Sequence, residues 1–321
     1  MAIQRGFIDN WRPQKQTLQR IAQVLEILSQ YEQQLPLTIR QIFYRLIARY
    51  EYEKTLNAYN NLSQMLSTAR RARWKTNEGM LLFEAIRDDS LTEEKLYFYR
   101  DETHFWRTVK SIATRLRLDR MIGQERRLAL WCESAGMIPQ LQRLANPYGI
   151  TVYNSGGFDK VTGKYGVAKA IANQEQPITV LHIGDHDPSG VHIFKTLADD
   201  VIAFAETLAE ENELDPPDIE FVRVAVIPEQ AHDLALPTAL PNKQDNRDFD
   251  KLVIRHTTWL GPESVDIDPD ESWQAEALDP ATLAEIVGDA IVSRIDRAAL
   301  ARVKVHEAKI RATVQKNLAG L

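Results

Sequence analysis

The run Ile178-Thr179-Val180-Leu181-His182-Ile183 is apolar and β-branched, and Gly184-Asp185-His186-Asp187-Pro188-Ser189-Gly190 follows it at once. A short apolar run bounded by turn residues reads as a buried strand. Pro188 suits a first helical position, and Ser189 and Gly190 suit the turn that leads into a helix. Ligands of open parallel sheets bind outside the carboxyl ends of the strands. Asp185 and Asp187 are expected at such an edge. Two close carboxylates repel each other unless a cation lies between them. Oxygen-only ligation suits Mg2+, which keeps most of its waters and meets few protein carboxylates. The plainer alternative is a pair of acids in a solvated loop.

A third acid fits the same edge. Arg127 to Cys132 is another apolar strand candidate, and Glu133 closes it. Ser134-Ala135-Gly136 then leads into an apolar-periodic segment from Met137 to Leu144. Further strands are expected over 150–154 and 220–226, with helices over 162–173 and 189–211. This alternation predicts a parallel α/β sheet.

An acid closing one strand, with Asp-x-Asp closing another 52 residues on, resembles the Toprim domain. The form Gly-Asp-x-Asp-Pro-x-Gly narrows the resemblance to the A subunit of topoisomerase VI and the meiotic double-strand-break transesterase. The chain looks closest to the short mini-A-like proteins of bacteria, phages and plasmids. The resemblance implies a Toprim domain that binds Mg2+, with Mn2+ as an alternative, through Glu133, Asp185 and Asp187. Glu133 is also carried over as a catalytic residue. Ser134 stands where many relatives have a lysine. Two further stretches match those relatives loosely, Lys243 to Arg247 and Gln274 to Pro280, and neither is assigned catalysis.

The N-terminal third reads as helical. Apolar residues at Leu18, Ile21, Ala22, Leu25 and Leu28 have helical spacing. Thr38 is a plausible N-cap for a helix from Ile39 to Tyr50, and Thr55 or Asn57 for a third helix reaching about Trp74. Met80 to Phe83, with Ala85 and Ile86, suggest short wing strands. Three helices and a small β element predict a winged-helix module. Arg70, Arg71, Arg73 and Lys75 cluster at the end of the third helix. They are the candidate DNA-binding residues, with a solvated basic face as the alternative. A helix over 91–118 is expected to link two domains, 1–120 and 121–321. Its aromatics, Tyr97, Phe98, Tyr99, Phe105 and Trp106, are expected to pack.

Leu37 to Arg45 resembles the catalytic helix of the topoisomerase VI A family, Arg-Asp-Ile-Tyr-Tyr. Residue by residue, the attacking tyrosine corresponds to Tyr44 and the arginine to Arg40, and Phe43 replaces the first tyrosine. On a helical wheel Tyr44 falls away from the stripe of Ile39, Ile42, Phe43, Leu46, Ile47 and Tyr50, on the side of Arg40. A phenol with a pKa of about 10 is a poor nucleophile until its proton is withdrawn. In the family the tyrosine of one subunit works with the metal site of another, so the resemblance implies a homodimer.

The first reading is thus a Mg2+-dependent, DNA-cleaving transesterase that forms a 5′-phosphotyrosyl link through Tyr44 on double-stranded DNA. The alternatives are a Toprim nuclease using water, of the plasmid-defence type, and a catalytically silent DNA-binding subunit. The chain has no Walker motif, so full topoisomerase activity would need a separate ATPase subunit.

Net charge is −6 over 321 residues, but the halves differ. Residues 1–120 carry 20 Lys and Arg against 14 Asp and Glu, and the remainder carries 19 against 31. Partner binding follows local charge, so phosphate contacts are expected in the basic half. No run is apolar enough to span a membrane, and no signal-peptide pattern is present. The single cysteine, Cys132, sits within a predicted strand and is expected to be a buried thiol. A cytoplasmic location is expected.

Overall fold

Side-chain caps start two of the first three helices. The computed structural model describes residues 10–87, 98–155, 161–239, 257–259 and 272–319. Helix α1 (Lys15–Gln30) leads to a two-residue strand, β1 (Leu37–Thr38), and directly into α2 (Ile39–Tyr50). The Gln41 N–H donates to Thr38 Oγ1 at 3.0 Å, and the Thr38 N–H donates to Gln41 Oε1 at 2.9 Å. Such a reciprocal box stabilises a helix start by about 1 kcal/mol. Helix α3 (Leu56–Arg71) is capped by Thr55, whose hydroxyl accepts the Ala58 N–H at 3.1 Å. Ile21, Val24 and Leu28 of α1, Ile42 and Phe43 of α2, and Leu62 and Leu66 of α3 close one core.

The expected wing takes another form. A single antiparallel bridge joins Lys75 to Leu81. A one-turn helix α4 (Leu82–Ala85) follows, then β2 (Ile86–Arg87), which pairs parallel to β1. The apolar positions read as wing strands, Leu82 and Ala85, are three apart. They bury one face of a turn against the helical core, as helical spacing allows. Of the helix expected over 91–118, residues 91–97 lie outside the described residues, and within 98–118 helix α5 covers Glu102–Thr114. Asp101 starts it by accepting the His104 N–H at 2.7 Å. Tyr97 and the stretch from Lys243 to Arg247 lie outside the described residues.

The rest of the chain builds a five-stranded parallel sheet. Its strands are β3 (Arg127–Cys132), β4 (Thr151–Asn154), β5 (Ile178–Ile183), β6 (Ile219–Ala225) and β7 (Thr257–Trp259). The spatial order is β4-β3-β5-β6-β7, every neighbouring pair parallel. The sequence pattern foresaw the first four of these strands but not β7.

Strand side chains alternate between two helical layers, as the period of two requires. Leu128, Leu130, Leu181 and Ile183 pack toward α6 (Ile138–Ala145), α10 (Pro280–Val292) and the start of α11 (Arg297–Ala319). Ala129, Trp131, Val180 and Phe221 pack toward α7 (Val161–Ala172) and α8 (Pro188–Glu211). A short α9 (Pro228–Asp233) follows β6. The architecture is a mixed α/β fold with helices on both faces of a parallel sheet. Among the described residues no helix is long and apolar enough to cross a membrane.

One glycine fixes how the parts dock. A Cβ on Gly136 would run into the Thr38 side chain, so the turn after β3 can approach the start of α2 only without one. Gln140 adds hydrogen bonds to Gln41 and to the Pro36 carbonyl, both at 3.0 Å.

Candidate functional site

Adjacent strands bring two of the predicted acids together. Cys132 of β3 pairs with Ile183 of β5, so Glu133 and the loop after Ile183 leave the sheet side by side at its carboxyl edge. Glu133 Oε2 accepts the backbone N–H of Asp185 at 3.2 Å. Gly184 makes room for that contact, because a Cβ there would sit 2.9 Å from Glu133 Oε2 and 2.7 Å from His182 Cε1.

Asp185 Oδ1 accepts the Ala275 N–H at 2.8 Å. Burial pushes the Asp185 carboxyl up to about 7, and the Glu133 charge adds to the rise. Asp187 turns to a different task. It is the N-cap of α8, and its Oδ1 accepts the Gly190 N–H at 2.6 Å. Its charge still acts on Asp185. Gly190 is needed there, since a Cβ would collide with the Asp185 carbonyl.

Thus Glu133 and Asp185 meet, while Asp187 stands nearby with its carboxylate engaged in capping. Among the described residues, no three His, Cys, Asp or Glu side chains are gathered as a metal site. The donor chemistry nevertheless suits a hard cation. Mg2+ is commonly bound through only one or two carboxylates, with water and substrate phosphate completing its shell. Glu133 and Asp185 carry oxygen donors of that kind.

The segment 272–279 forms the opposite wall. His186 and Trp273 exchange backbone hydrogen bonds of 2.7 and 2.8 Å, which fastens the segment to the Asp-x-Asp loop. It then runs across α2. Tyr44 donates to Gln274 Oε1 at 2.9 Å. Arg45 pairs with Asp279 at 3.0 Å and also donates to the Ala277 carbonyl. Glu276 is buried, accepts the Ser134 hydroxyl at 3.1 Å and lies 3.6 Å from Arg40 Nε. The Arg40 side chain keeps 40% of its exposure, with its guanidinium over the Tyr59 ring.

The structure changes the expected surroundings of Tyr44. The wheel places it off the apolar stripe, and that is so, yet its side chain is fully buried. The reason is a second packing partner. The stripe faces the helical core, and the other side of α2 is covered by 272–279. Burial raises the Tyr44 phenol well above its usual value; Arg40 opposes the rise, while Asp185 and Glu276 add to it. These acids belong to the same chain as the tyrosine.

Arg223 is a further member. It lies on β6 with no exposed surface. Its Nη2 donates to the Gly184 carbonyl at 2.9 Å and to the Asp185 carbonyl, and its Nε donates to Val226 O at 3.2 Å. Burial lowers this guanidinium, and Glu133, Asp185 and Asp187 oppose that. A register shift opposite His182 and Ile183 lies at this end of β6. Such irregularities re-aim chains beside functional sites. His182 and His186 do not neutralise the acids. Burial, helped by Arg223, lowers both, His186 to about 3.

Sequence reasoning set aside Gln274 to Pro280 and did not single out Arg223. A lone arginine in the apolar run Phe221 to Val226 was the available signal, because a buried charge must be paired. Cys132 is a free, buried cysteine, and burial raises its thiol.

The four basic candidates separate. Arg70 is 6% exposed, donates to the Leu66 carbonyl at 3.4 Å and lies over the Phe83 ring. Arg73 and Lys75 are exposed and Arg71 is half-buried.

Comparison of the chain with protein-family models, with curated proteins and with solved structures returns no match.

Proposed function

We propose that this chain is a Toprim-type, divalent-cation-dependent enzyme that cleaves DNA phosphodiesters, related to the topoisomerase VI A subunit. The observation that carries this reading is the meeting of Glu133 and Asp185 at the carboxyl edge of adjacent parallel strands. Glu133 and Asp185, with Asp187 beside them, would hold Mg2+ or Mn2+. A cation held there would supply Lewis-acid polarisation of a phosphate oxygen and counter-charge for the departing 3′-oxygen. Among the described residues, Arg40 is the cation best placed to pair with the same phosphate, being partly exposed next to the acids. In this reading residues 1–120 are a helical DNA-binding domain and residues 121–321 the Toprim domain, acting as a homodimer, with any ATPase supplied by another protein.

Tyr44 is the proposed nucleophile. Its oxygen attacks phosphorus, the phenol loses its proton, and the 3′-oxygen leaves and takes up a proton. The product is a 5′-phosphotyrosyl link and a free 3′ end. The support is the position of Tyr44 among Arg40, Glu276 and Asp185. One observation favours the second reading, hydrolysis by water. The Tyr44 side chain is enclosed and its proton is donated to Gln274. Attack by Tyr44 therefore requires 272–279 to move.

Supercoiled DNA incubated with Mg2+ or Mn2+, quenched with detergent and run with and without protease tests the proposal. Transesterification predicts cut DNA whose mobility changes on proteolysis, and loss of cutting in Tyr44→Phe. Hydrolysis predicts protease-insensitive products and a Phe variant that cuts at the parental rate. No cutting with either cation overturns both readings.

A further inference from the structure

The aromatic residues around the start of α5 do not pack as their sequence suggests. Phe98 is 80% exposed, Tyr99 43% and Phe105 38%. Tyr99 and Phe105 form one group with half-buried Trp106, and Phe98 directly precedes Tyr99 in the chain. Tyr99 meets Phe105 edge-on at 5.1 Å, and Phe105 meets Trp106 edge-on at 5.4 Å. Contiguous exposed apolar surface of this kind marks an interaction site.

The charge around the rings identifies the partner. Arg100, Arg107 and Lys110 are exposed among them. The two acids of this stretch are used locally. Asp101 caps α5, and Glu102 accepts the Trp106 indole N–H at 3.4 Å. The surface thus sets three exposed cations among the aromatic rings, with these two acids at its helix start.

We propose that this surface binds single-stranded nucleic acid, its rings stacking on unpaired bases and its cations pairing with the phosphates. Duplex DNA stacks its base faces inside and offers exposed rings nothing. An unpaired strand offers base faces and phosphates together, which is the combination that stacking platforms use. The surface is separate from the carboxylate edge, and the inference does not depend on the cleavage reading.

The test is fluorescence anisotropy in EDTA, which removes any metal-dependent chemistry. The probes are labelled oligo(dT), oligo(U) and a duplex of equal length. Oligonucleotide binding tighter than duplex binding is expected, and the two single-stranded arms tell DNA from RNA. Phe98→Ala and Phe105→Ala should each weaken oligonucleotide binding about tenfold, within the range for one lost stack, and leave the duplex unaffected. Lys110→Gln should lower the slope of log K against log salt by about 0.7. Phe98 is so exposed that its replacement leaves the fold intact. It decides alone if Phe105→Ala proves unstable by thermal melting. Equal affinity for single strand and duplex, or unchanged binding by Phe98→Ala, overturns the proposal. So does concentration-dependent self-association that Phe98→Ala abolishes, which would assign the rings to a contact between copies.

Discussion

Tyr44 donates its phenolic proton to Gln274 across 230 positions of sequence. The contact ties α2, which opens the chain's helical core, to the segment that covers the acid pair. Gln274 is one residue from Ala275, whose N–H holds Asp185. A single short segment therefore fixes both the proposed nucleophile and one proposed metal ligand.

The Asp185 carboxyl gives a pH signature in the metal-free protein. Its folded-state value is raised to about 7, chiefly by burial and then by Glu133. The unfolded value is about 4. The unfolded chain therefore ionises first. The stability is fully present below about pH 4 and is lost as pH rises toward 7. At about 1.4 kcal/mol per pKa unit the loss is on the order of a few kcal/mol. Asp185→Asn keeps the oxygen that accepts the Ala275 N–H and removes the charge. Denaturant unfolding in EDTA between pH 4 and pH 8 should show the variant gaining on the parent as pH rises. A difference that stays constant with pH would show that Asp185 is not strained by ionisation.

Gly190 lets α8 start directly beneath the Asp185 carbonyl. Gly190→Ala should lower stability by about 1–3 kcal/mol, the usual cost of overpacking. It should also displace the Asp-x-Asp loop, so any cation-dependent thermal stabilisation should shrink with it. Thermal melts with and without Mg2+ measure both effects. A variant as stable as the parent would mean the loop relaxes freely.

The basic cluster should divide by burial. Arg73→Ala or Lys75→Ala should lower the salt slope of duplex binding by roughly one and change stability by no more than about 0.5 kcal/mol. Arg70→Ala should instead cost about 1–3 kcal/mol, because Arg70 is itself buried and donates to the Leu66 carbonyl. Equal effects of all three on the salt slope would contradict this division.

Much of the sheet was legible because apolar runs followed at once by acids or turn residues state both a strand and its end. Arg127 to Cys132 and Ile178 to Ile183 were read with their observed boundaries. The Thr38 and Thr55 caps were legible too, since a hydroxyl before a helical stripe has a local physical role. What escaped depends on long-range packing. Nothing near Tyr44 in sequence says that 272–279 will cover it. Glu276 and Gln274 acquire meaning only through that cover. The Phe98 and Phe105 rings read as packing residues because composition alone does not tell a buried ring from a displayed one. Asp187 was read as a ligand, and its alternative use as a helix cap was implicit in the Pro188 that follows it.

The central claim is that Glu133 and Asp185 share a divalent cation. Electron paramagnetic resonance of Mn2+ titrated into the protein tests it without DNA or turnover. The account predicts that the parent chain depletes the free Mn2+ signal and that Mg2+ restores it by competition. Asp185→Asn and Glu133→Gln should each abolish the depletion while their thermal melts remain cooperative. A parent protein in excess that leaves the free Mn2+ signal undiminished would contradict the account, as would variants that bind Mn2+ as the parent does.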